Sequence, residues 1–203
     1  QALPLCGNKN ISFDEIEIIT RNKNKVFSKI INFKKINLLN SSQKNKVKKD
    51  LKNITVRRKN FLKNVNFSLP SIMGILNLTP DSFSDGGKFN KKQKSIKHIS
   101  NMINSGADII DIGGESTRPG SITISPKKEW QRVKFVIKKF KKKFKKTCLS
   151  IDTRKSSLMI KSIKSGADLI NDVSGFNYDE SSLKKLKKYN VAKVLHHMQG
   201  SPN

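Results

Sequence analysis

Residues 105–111 read SGADIID, and residues 165–172 repeat the pattern as SGADLIND. In both copies a glycine, Gly106 or Gly166, comes shortly before an apolar run that ends in acidic or amide side chains. Glycine readily adopts the left-handed backbone conformation that commonly ends a helix, because it has no side chain to clash. Each copy is therefore predicted to be the end of a helix that leads into a buried β-strand.

Outward from these two copies, short apolar runs and helical stretches alternate along residues 71–203. Short apolar runs are typical of buried parallel strands. Strands are predicted at Ile72–Asn77, Asp108–Gly113, Cys148–Asp152, Asp168–Val173 and Ala192–His196. Helices are predicted between them at Lys91–Ser105, Pro126–Lys146, Ser156–Ser165 and Glu180–Tyr189. This alternation predicts an α/β fold with a parallel sheet.

Polar residues follow the predicted strands at the point where each strand ends. They are Asn77, Glu115 with Ser116 and Thr117, Asp152 with Thr153, Asn171 with Asp172, and His197 with Gln199. In a (β/α)₈ barrel or an open parallel sheet, ligands bind at the edge formed by the carboxyl ends of the strands. The sequence therefore predicts a ligand site at that edge.

The composition is strongly basic, with 42 Lys and Arg, 15 Asp and Glu, and a formal net charge of +27. Such a charge often indicates a nucleic-acid partner. Only six of the basic residues are arginine, however, and the longest basic run, Lys138–Lys146, carries Phe140 and Phe144 at helical spacing. We interpret the run as the lysine-coated outer face of an amphipathic helix. No nucleic-acid partner is expected.

Residues 1–70 form a separate segment rich in lysine and asparagine, for which we predict a strand around Ile16–Thr20 and one or two helices, but no chemistry. Cys6 and Cys148 lie far apart and have neither disulfide-framework nor zinc-site spacing. No run reaches the roughly 18 apolar residues of a membrane helix, and the chain does not start with a signal-peptide pattern. A cytoplasmic protein with no membrane partner is expected.

The most informative stretch is residues 73–87, which reads MGILNLTPDSFSDGG. A strand stops at an amide side chain, and a loop of small polar residues and glycine follows, which by local chemistry alone also fits an ordinary turn. The stretch resembles the first signature of dihydropteroate synthases, and residues 111–120, DIGGESTRPG, resemble the second loop of that family. Further matches follow in the family's order at residues 150–153, 170–174 and 197–202.

The resemblance implies a TIM (β/α)₈ barrel of the pterin-binding type, of which this chain would carry about the first five β/α units after an N-terminal extension. The implied activity is that of a transferase in folate synthesis, which joins a dihydropterin diphosphate to 4-aminobenzoate and releases diphosphate. Mg²⁺ is the implied cofactor. These two substrates are the implied partners, and the parent protein is implied to be a homodimer.

The resemblance also implies roles for single residues. Asn77 would bind Mg²⁺ at the diphosphate, and Asp152 and Asn171 would grip the pterin, whose ring edge offers donors and acceptors that a carboxylate and a carboxamide can pair. The other implied substrate-binding residues are Thr117 and Arg118 at the phosphate end, Phe83 against the aminobenzoate, Asp85 facing positive charge, and His197 at the diphosphate. No catalytic acid or base is assigned, since the substitution depends on fixed charges around separating ions.

Two alternatives stay open. A pterin-binding methyltransferase would share the barrel and the Asp and Asn that grip the pterin, although the two loops resemble the synthases. A basic binding module or degenerate remnant would bind RNA in a salt-dependent manner and have no pterin affinity. The chain stops at Asn203, after the fifth predicted strand, whereas a barrel takes about 250 residues. We therefore expect this polypeptide to lack three strands and to be inactive alone.

Overall fold

The computed structural model describes residues 2–57, 62, 64–67, 69–79, 88–117 and 120–197. The chain divides into two compact units, residues 1–59 and residues 60–203. The change of composition near residue 70, from which the sequence predicts a boundary, therefore lies inside the second unit. All of the predicted α/β elements belong to that second unit.

Within residues 2–57, the first unit forms two pairs of antiparallel strands and two helices. Its elements are β1 (Leu3–Leu5), β2 (Asn8–Phe13), β3 (Glu15–Asn22), β4 (Lys25–Asn32), a 3₁₀ helix (Phe33–Leu38) and α1 (Ser41–Thr55). β1 pairs with β2, and β3 pairs with β4. β3 confirms the strand predicted around Ile16–Thr20. Helix α1 begins after Asn40, whose side-chain oxygen accepts a hydrogen bond from the Gln43 N–H at 2.9 Å, and it contains no fully buried residue.

The described residues of the second unit form five strands and four helices. The strands are β5 (Met73–Asn77), β6 (Ile109–Gly113), β7 (Cys148–Asp152), β8 (Leu169–Asp172) and β9 (Ala192–Leu195). The helices are α2 (Lys88–Asn104), α3 (Pro126–Lys143), α4 (Ser156–Lys164) and α5 (Ser181–Leu186). The strands form one parallel sheet in chain order. The predicted strands and helices of this unit are confirmed, with ends that differ by at most three residues.

The two SGAD segments end α2 and α4 as predicted. Gly106 has a φ angle of +99° and Gly166 one of +100°, a conformation that a residue with a side chain rarely adopts. In each segment the amide of the following alanine, Ala107 or Ala167, donates a 3.0 Å hydrogen bond to a carbonyl in the last turn of the helix. These bonds satisfy carbonyls that a helix end leaves without an intrahelical partner.

The aspartate that closes each SGAD segment ties the incoming strand to its neighbour. Asp108 accepts a 2.9 Å hydrogen bond from the backbone N–H of Ile72, just before β5. Asp168 accepts one of the same length from the N–H of Leu149 in β7, and it also pairs with Lys141 at 3.0 Å. The repeated sequence therefore has a repeated function in the fold, because each aspartate fixes the start of one strand against the strand before it.

One face of the sheet packs against the helices and forms the main core. Its strand members are Leu76, Ile110, Ile112, Leu149, Ile151 and Ile170. Its most buried helical members are Ile99, Val133, Ile137, Phe140, Leu158, Met159 and Leu186. Full burial of one such side chain contributes about 1.5–3 kcal/mol, so this face supplies most of the apolar stabilisation of the unit.

On the opposite face of the sheet, a small apolar cluster covers the amino ends of the strands, and polar side chains lie at their carboxyl ends. Leu62 and Val65 pack there against Ile109, Cys148 and Leu169, which explains why the residues before the predicted boundary belong to this unit. Burial raises the pKa of the Cys148 thiol to about 12, so this cysteine stays protonated and unreactive. The carboxyl ends of the strands carry the candidate site.

Helix α3 is the amphipathic helix predicted from the basic run. Phe140 is fully buried, whereas Lys138, Lys139 and Lys142 are exposed. The helix ends at Lys143 and not at the predicted Lys146, because the backbone at Phe144 leaves the helical region (φ −118°, ψ 57°) and its ring packs 5.3 Å from that of Phe140. Among the helices in the described ranges, none has the length and apolar character needed to cross a membrane.

Candidate functional site

Four neighbouring strands bring residues at or next to their carboxyl ends into one row. The register pairs Asn77 of β5 with Gly113 of β6, Gly113 with Asp152 of β7, and Asp152 with Asn171 of β8. Residues paired across parallel strands point to the same face of the sheet. Three of the polar residues that the sequence predicted for this edge, Asn77, Asp152 and Asn171, thus lie in one row on the face that the helices do not cover.

Gly113 creates the space between the first two polar groups of the row. A Cβ atom at this position would stand 3.1 Å from Asn77 Oδ1 and 3.4 Å from Asp152 Oδ2. The amide oxygen and the carboxylate oxygen therefore converge over the backbone of β6, where no side chain separates them. Such a gap between fixed polar groups is the shape that a flat ligand or a small cation can enter.

Asp111 is a residue of this site to which the sequence assigned no role. It lies two residues before Gly113, on the same face of β6, and only 4% of it is exposed. Its Oδ2 atom accepts a 3.0 Å hydrogen bond from the Asn171 amide nitrogen. This bond fixes the carboxamide so that its oxygen can accept from a ligand. One local signal pointed to Asp111, namely a charged residue inside an otherwise apolar strand.

The surroundings of Asp152 destabilise the charged form of its carboxyl group. Burial, followed by the negative charge of Asp111, raises its pKa from 3.8 to about 7. Burial also raises the pKa of Asp111. A strongly shifted carboxyl beside a second buried carboxyl is more common in a binding or catalytic site than in a purely structural position.

Three buried oxygen atoms on this face lack a hydrogen-bond partner among the described residues, and they belong to Asp111, Ser150 and Asp152. Ser150 pairs with Asp111 in the register of β6 and β7. Buried polar atoms in native proteins are nearly always hydrogen-bonded to protein or water, and the exceptions need an explanation. The row therefore has unused capacity to bind a polar ligand or ordered water.

Thr117 lies in the loop that follows β6 at the same edge of the sheet, and it is half-buried. The loop is anchored through Glu115, whose Oε1 accepts hydrogen bonds from the Ile124 N–H at 2.9 Å and from Lys155 Nζ at 2.7 Å. Its Oε2 accepts one from Arg154 at 3.1 Å. Burial alone would raise the pKa of Glu115, but these hydrogen bonds more than offset it, so the pKa is lowered and the group is ionised at neutral pH.

Lys155 joins this loop to α3. Its ammonium group contacts Glu129 at 2.7 Å, while a third basic residue, Arg132, donates a 2.7 Å hydrogen bond to the Gly114 carbonyl. Glu129 is fully buried, although it lies on a helix whose outer face is rich in lysine. Local sequence patterns gave no indication of this network, since the two ionic bonds of Lys155 join residues that are 40 and 26 positions apart along the chain.

The remaining residues that the sequence predicted for the site do not belong to the row at Gly113. His197 follows β9 at the same edge and is exposed. Phe83, Asp85 and Arg118 lie outside the described residues, so their predicted roles stay predictions. No group of three His, Cys, Asp or Glu among the described side chains could enclose a metal ion. Asn77 offers a single amide oxygen, which fits the Mg²⁺ sites that combine one or two protein ligands with substrate phosphates and water.

Comparison with known families and proteins agrees with this geometry. A family model described as pterin binding enzyme matches residues 73–203. The dihydropteroate synthase of Clostridium beijerinckii is 52% identical over 126 residues, which cover 62% of this chain and 46% of that protein. The dihydropteroate synthase of Escherichia coli is 44% identical over 138 residues, covering 68% and 48% respectively. The chain spans about half the length of the curated relatives it matches.

The solved structures to which the chain is similar are also dihydropteroate synthases. Dihydropteroate synthase from Clostridium difficile, crystallised in the presence of pteroic acid, aligns with a TM-score of 0.61 and 43% identity over 66% of this chain and 51% of that one. The enzyme from Xanthomonas albilineans with 4-aminobenzoic acid aligns with a TM-score of 0.63 and 37% identity over 68% and 51%. The predicted fold, an incomplete TIM barrel, is thereby confirmed.

Proposed function

Since the chain belongs to the family of pterin-binding enzymes, we propose that it forms the pterin-holding part of a dihydropteroate synthase. The single observation that carries this proposal is the row of Asn77, Asp152 and Asn171 around the gap at Gly113. The named relatives are synthases, which favours this reaction over that of a pterin-binding methyltransferase. The substrates are a dihydropterin diphosphate and 4-aminobenzoate.

The row suits the edge of a pterin ring. An ionised Asp152 accepts hydrogen bonds from two adjacent N–H groups of the aminopyrimidinone, and charge-assisted bonds of this kind are roughly twice as strong as neutral ones. The Asn171 oxygen accepts a further bond, because its nitrogen is already held by Asp111. Ligand binding then also compensates the burial of the Asp152 charge, which lacks such partners in the free protein.

The reaction is a substitution at the exocyclic methylene of the pterin. The carbon–oxygen bond to the diphosphate breaks, the aniline nitrogen of 4-aminobenzoate forms the new bond to carbon, and the nitrogen loses one proton to water or to the released diphosphate. Positive charge develops on the pterin as the diphosphate leaves. The buried carboxylates of Asp111 and Asp152 stabilise that charge without reorganising, which is electrostatic preorganisation.

Mg²⁺, a cytoplasmic location and a homodimeric parent protein stay predictions from the family resemblance. Asn77 would hold the metal through its amide oxygen at the diphosphate end of the row. The metal, when bound, neutralises charge on the leaving diphosphate. Thr117 and His197, at the same edge of the sheet, would contact the phosphates.

Binding of a hydroxymethyl dihydropterin to the 203-residue chain, measured by calorimetry, tests the proposal. Asp152→Asn replaces the charged acceptor by a neutral amide, and we expect the affinity to fall roughly 10- to 100-fold. The matched control is Asp50→Asn, the same chemical change at an exposed position of α1. Equal affinities of the Asp152→Asn variant and the unaltered chain would contradict the proposed pterin site.

A further inference from the structure

We propose that Lys155 is a positioning residue that fixes the loop carrying Thr117 relative to the pterin-binding carboxylate of Asp152. The inference rests on the proposed function and extends it to a residue that touches neither substrate. Lys155 follows Asp152 by three positions, and its ammonium group reaches across to Glu115 at the base of the loop at 2.7 Å. One short segment thus carries both the carboxylate for the pterin and the cation that holds the loop for the diphosphate.

The loop is closed at its base by Glu115. The Glu115 carboxylate accepts the Ile124 N–H at 2.9 Å, so both ends of the segment 116–123 are held at one point. Inside the loop, the Ser121 hydroxyl donates a 2.6 Å hydrogen bond to the Ser116 carbonyl. The position of Thr117 therefore depends on where the Glu115 carboxylate is held.

The segment that carries Lys155 is itself fixed to the sheet. The Thr153 N–H donates a 3.0 Å hydrogen bond to the Asn171 carbonyl on the next strand. The Lys155 N–H donates to the Thr153 hydroxyl at 3.3 Å. Asp152, Thr153 and Lys155 consequently form one rigid connection, and a displacement of the lysine would shift the loop relative to the pterin carboxylate.

The three charged side chains that connect Lys155 to the loop and to α3 are buried. The side chain of Lys155 is 6% exposed, that of Glu115 4% and that of Glu129 0%. Well-packed apolar residues of similar volume often stabilise a fold as well as a buried ion network does, so stability alone does not account for three buried charges. Two short ionic bonds on one ammonium fix the positions of both carboxylates, as a positioning role requires.

The test must separate positioning from folding. Removal of Lys155 alone would leave the fully buried Glu129 carboxylate without a cation and would endanger the fold. The double variant Glu129→Leu with Lys155→Met removes one negative and one positive charge, preserves volume and leaves Glu115 paired with Arg154. The charge-matched control is Lys141→Met with Asp168→Asn, which alters the ion pair at the amino ends of the strands. Lys155→Arg retains the cation and tests rescue.

The first measurement compares two ligands, a hydroxymethyl dihydropterin and its diphosphate ester with Mg²⁺. The double variant is expected to keep the affinity for the phosphate-free pterin within about twofold and to lose about tenfold of its preference for the diphosphate ester, since displaced groups bind poorly. The control pair should keep both affinities, and Lys155→Arg should regain part of the preference. An unchanged preference in the folded double variant, or an equal loss of both affinities, would overturn the inference.

The second measurement, hydrogen exchange, does not depend on any ligand. Amides at the described positions 116–117 and 120–124 are expected to exchange at least about tenfold faster in the double variant, while those of β7 and β8 stay unchanged. Unchanged exchange in that segment would refute the positioning role even if no ligand bound. Failure of the unaltered chain to bind the phosphate-free pterin would instead refute the proposed function, so the two failures are distinguishable.

Discussion

Asp152 is less favourable for folding than a neutral residue at the same position would be. Its pKa is about 7 in the folded chain, against an ordinary value of 3.8. A carboxyl group whose pKa is raised by folding costs stability once it ionises. This cost is present throughout the pH range in which the same charge would be needed to bind a pterin.

This residue therefore predicts a pH dependence of stability. The free energy of unfolding should decrease as pH rises from about 4 to about 7, by a few kcal/mol at most, because each unit of pKa shift corresponds to about 1.4 kcal/mol. Asp152→Asn should remove this decrease and be the more stable protein at about pH 8. Urea unfolding across this range checks the prediction, with Asp50→Asn as control. Parallel curves for the unaltered chain and Asp152→Asn would refute it.

The site residues that the sequence predicted follow from local patterns, whereas those that it missed depend on contacts between distant parts of the chain. Asn77, Asp152 and Asn171 each end an apolar strand, so their position at one edge follows from a local pattern and from the geometry of parallel sheets. Asp111 acts through a partner 60 residues away, and Lys155 acts through partners 40 and 26 residues away. A contact over such a separation leaves no periodic signal in one sequence. The residues missed are thus the ones that orient others.

At the scale of elements, the strands and helices predicted from the sequence agree with the structure more closely than the predicted site residues do. The strands and helices of the second unit were predictable because glycine punctuation and apolar runs act within a few residues. Helix ends were less predictable, since they depend on packing. Phe144 ends α3 by packing on Phe140, although the lysine-rich sequence continues to Lys146.

Helix α3 offers a test of its amphipathic interpretation. Phe140→Ala should lower the free energy of unfolding by about 3–5 kcal/mol, since this ring is fully buried in the main core. Lys142→Ala, two residues further on the exposed face, should change it by less than about 0.5 kcal/mol. Urea unfolding of both variants measures the difference. Similar effects at both positions would mean that the helix does not pack as described.

At the scale of the whole molecule, the part of the sheet that the structure describes ends at β5 on one side and at β9 on the other. Among the described strands, β5 and β9 each pair with only one neighbour. Ile75 on β5 is 62% exposed and Leu195 on β9 is 74% exposed. Open edges of a parallel sheet expose unpaired backbone groups. The chain spans about half the length of its relatives, so the effect of additional strands on the proposed activity can be tested directly.

A chimera provides the corresponding test. The chain would be extended by the carboxyl-terminal half of the Clostridium beijerinckii dihydropteroate synthase, its 52% identical relative. We expect the chimera to form dihydropteroate from the two substrates, and the 203-residue chain alone to form none. Asp152→Asn in the chimera serves as the inactive control. Activity of the chain alone would refute the expectation that more strands are required, and a folded but inactive chimera would argue against the proposed reaction.

The absence of a side chain at Gly113 restricts which substitutions the cleft can accept. A side chain at Gly113 would press against Asn77 Oδ1 at 3.1 Å and against Asp152 Oδ2 at 3.4 Å, so a change at this position would displace the flanking groups of the cleft. A lineage that changes ligand would have to substitute those flanking groups first. Saturation mutagenesis of β6 should accordingly return glycine almost alone at this site among functional clones.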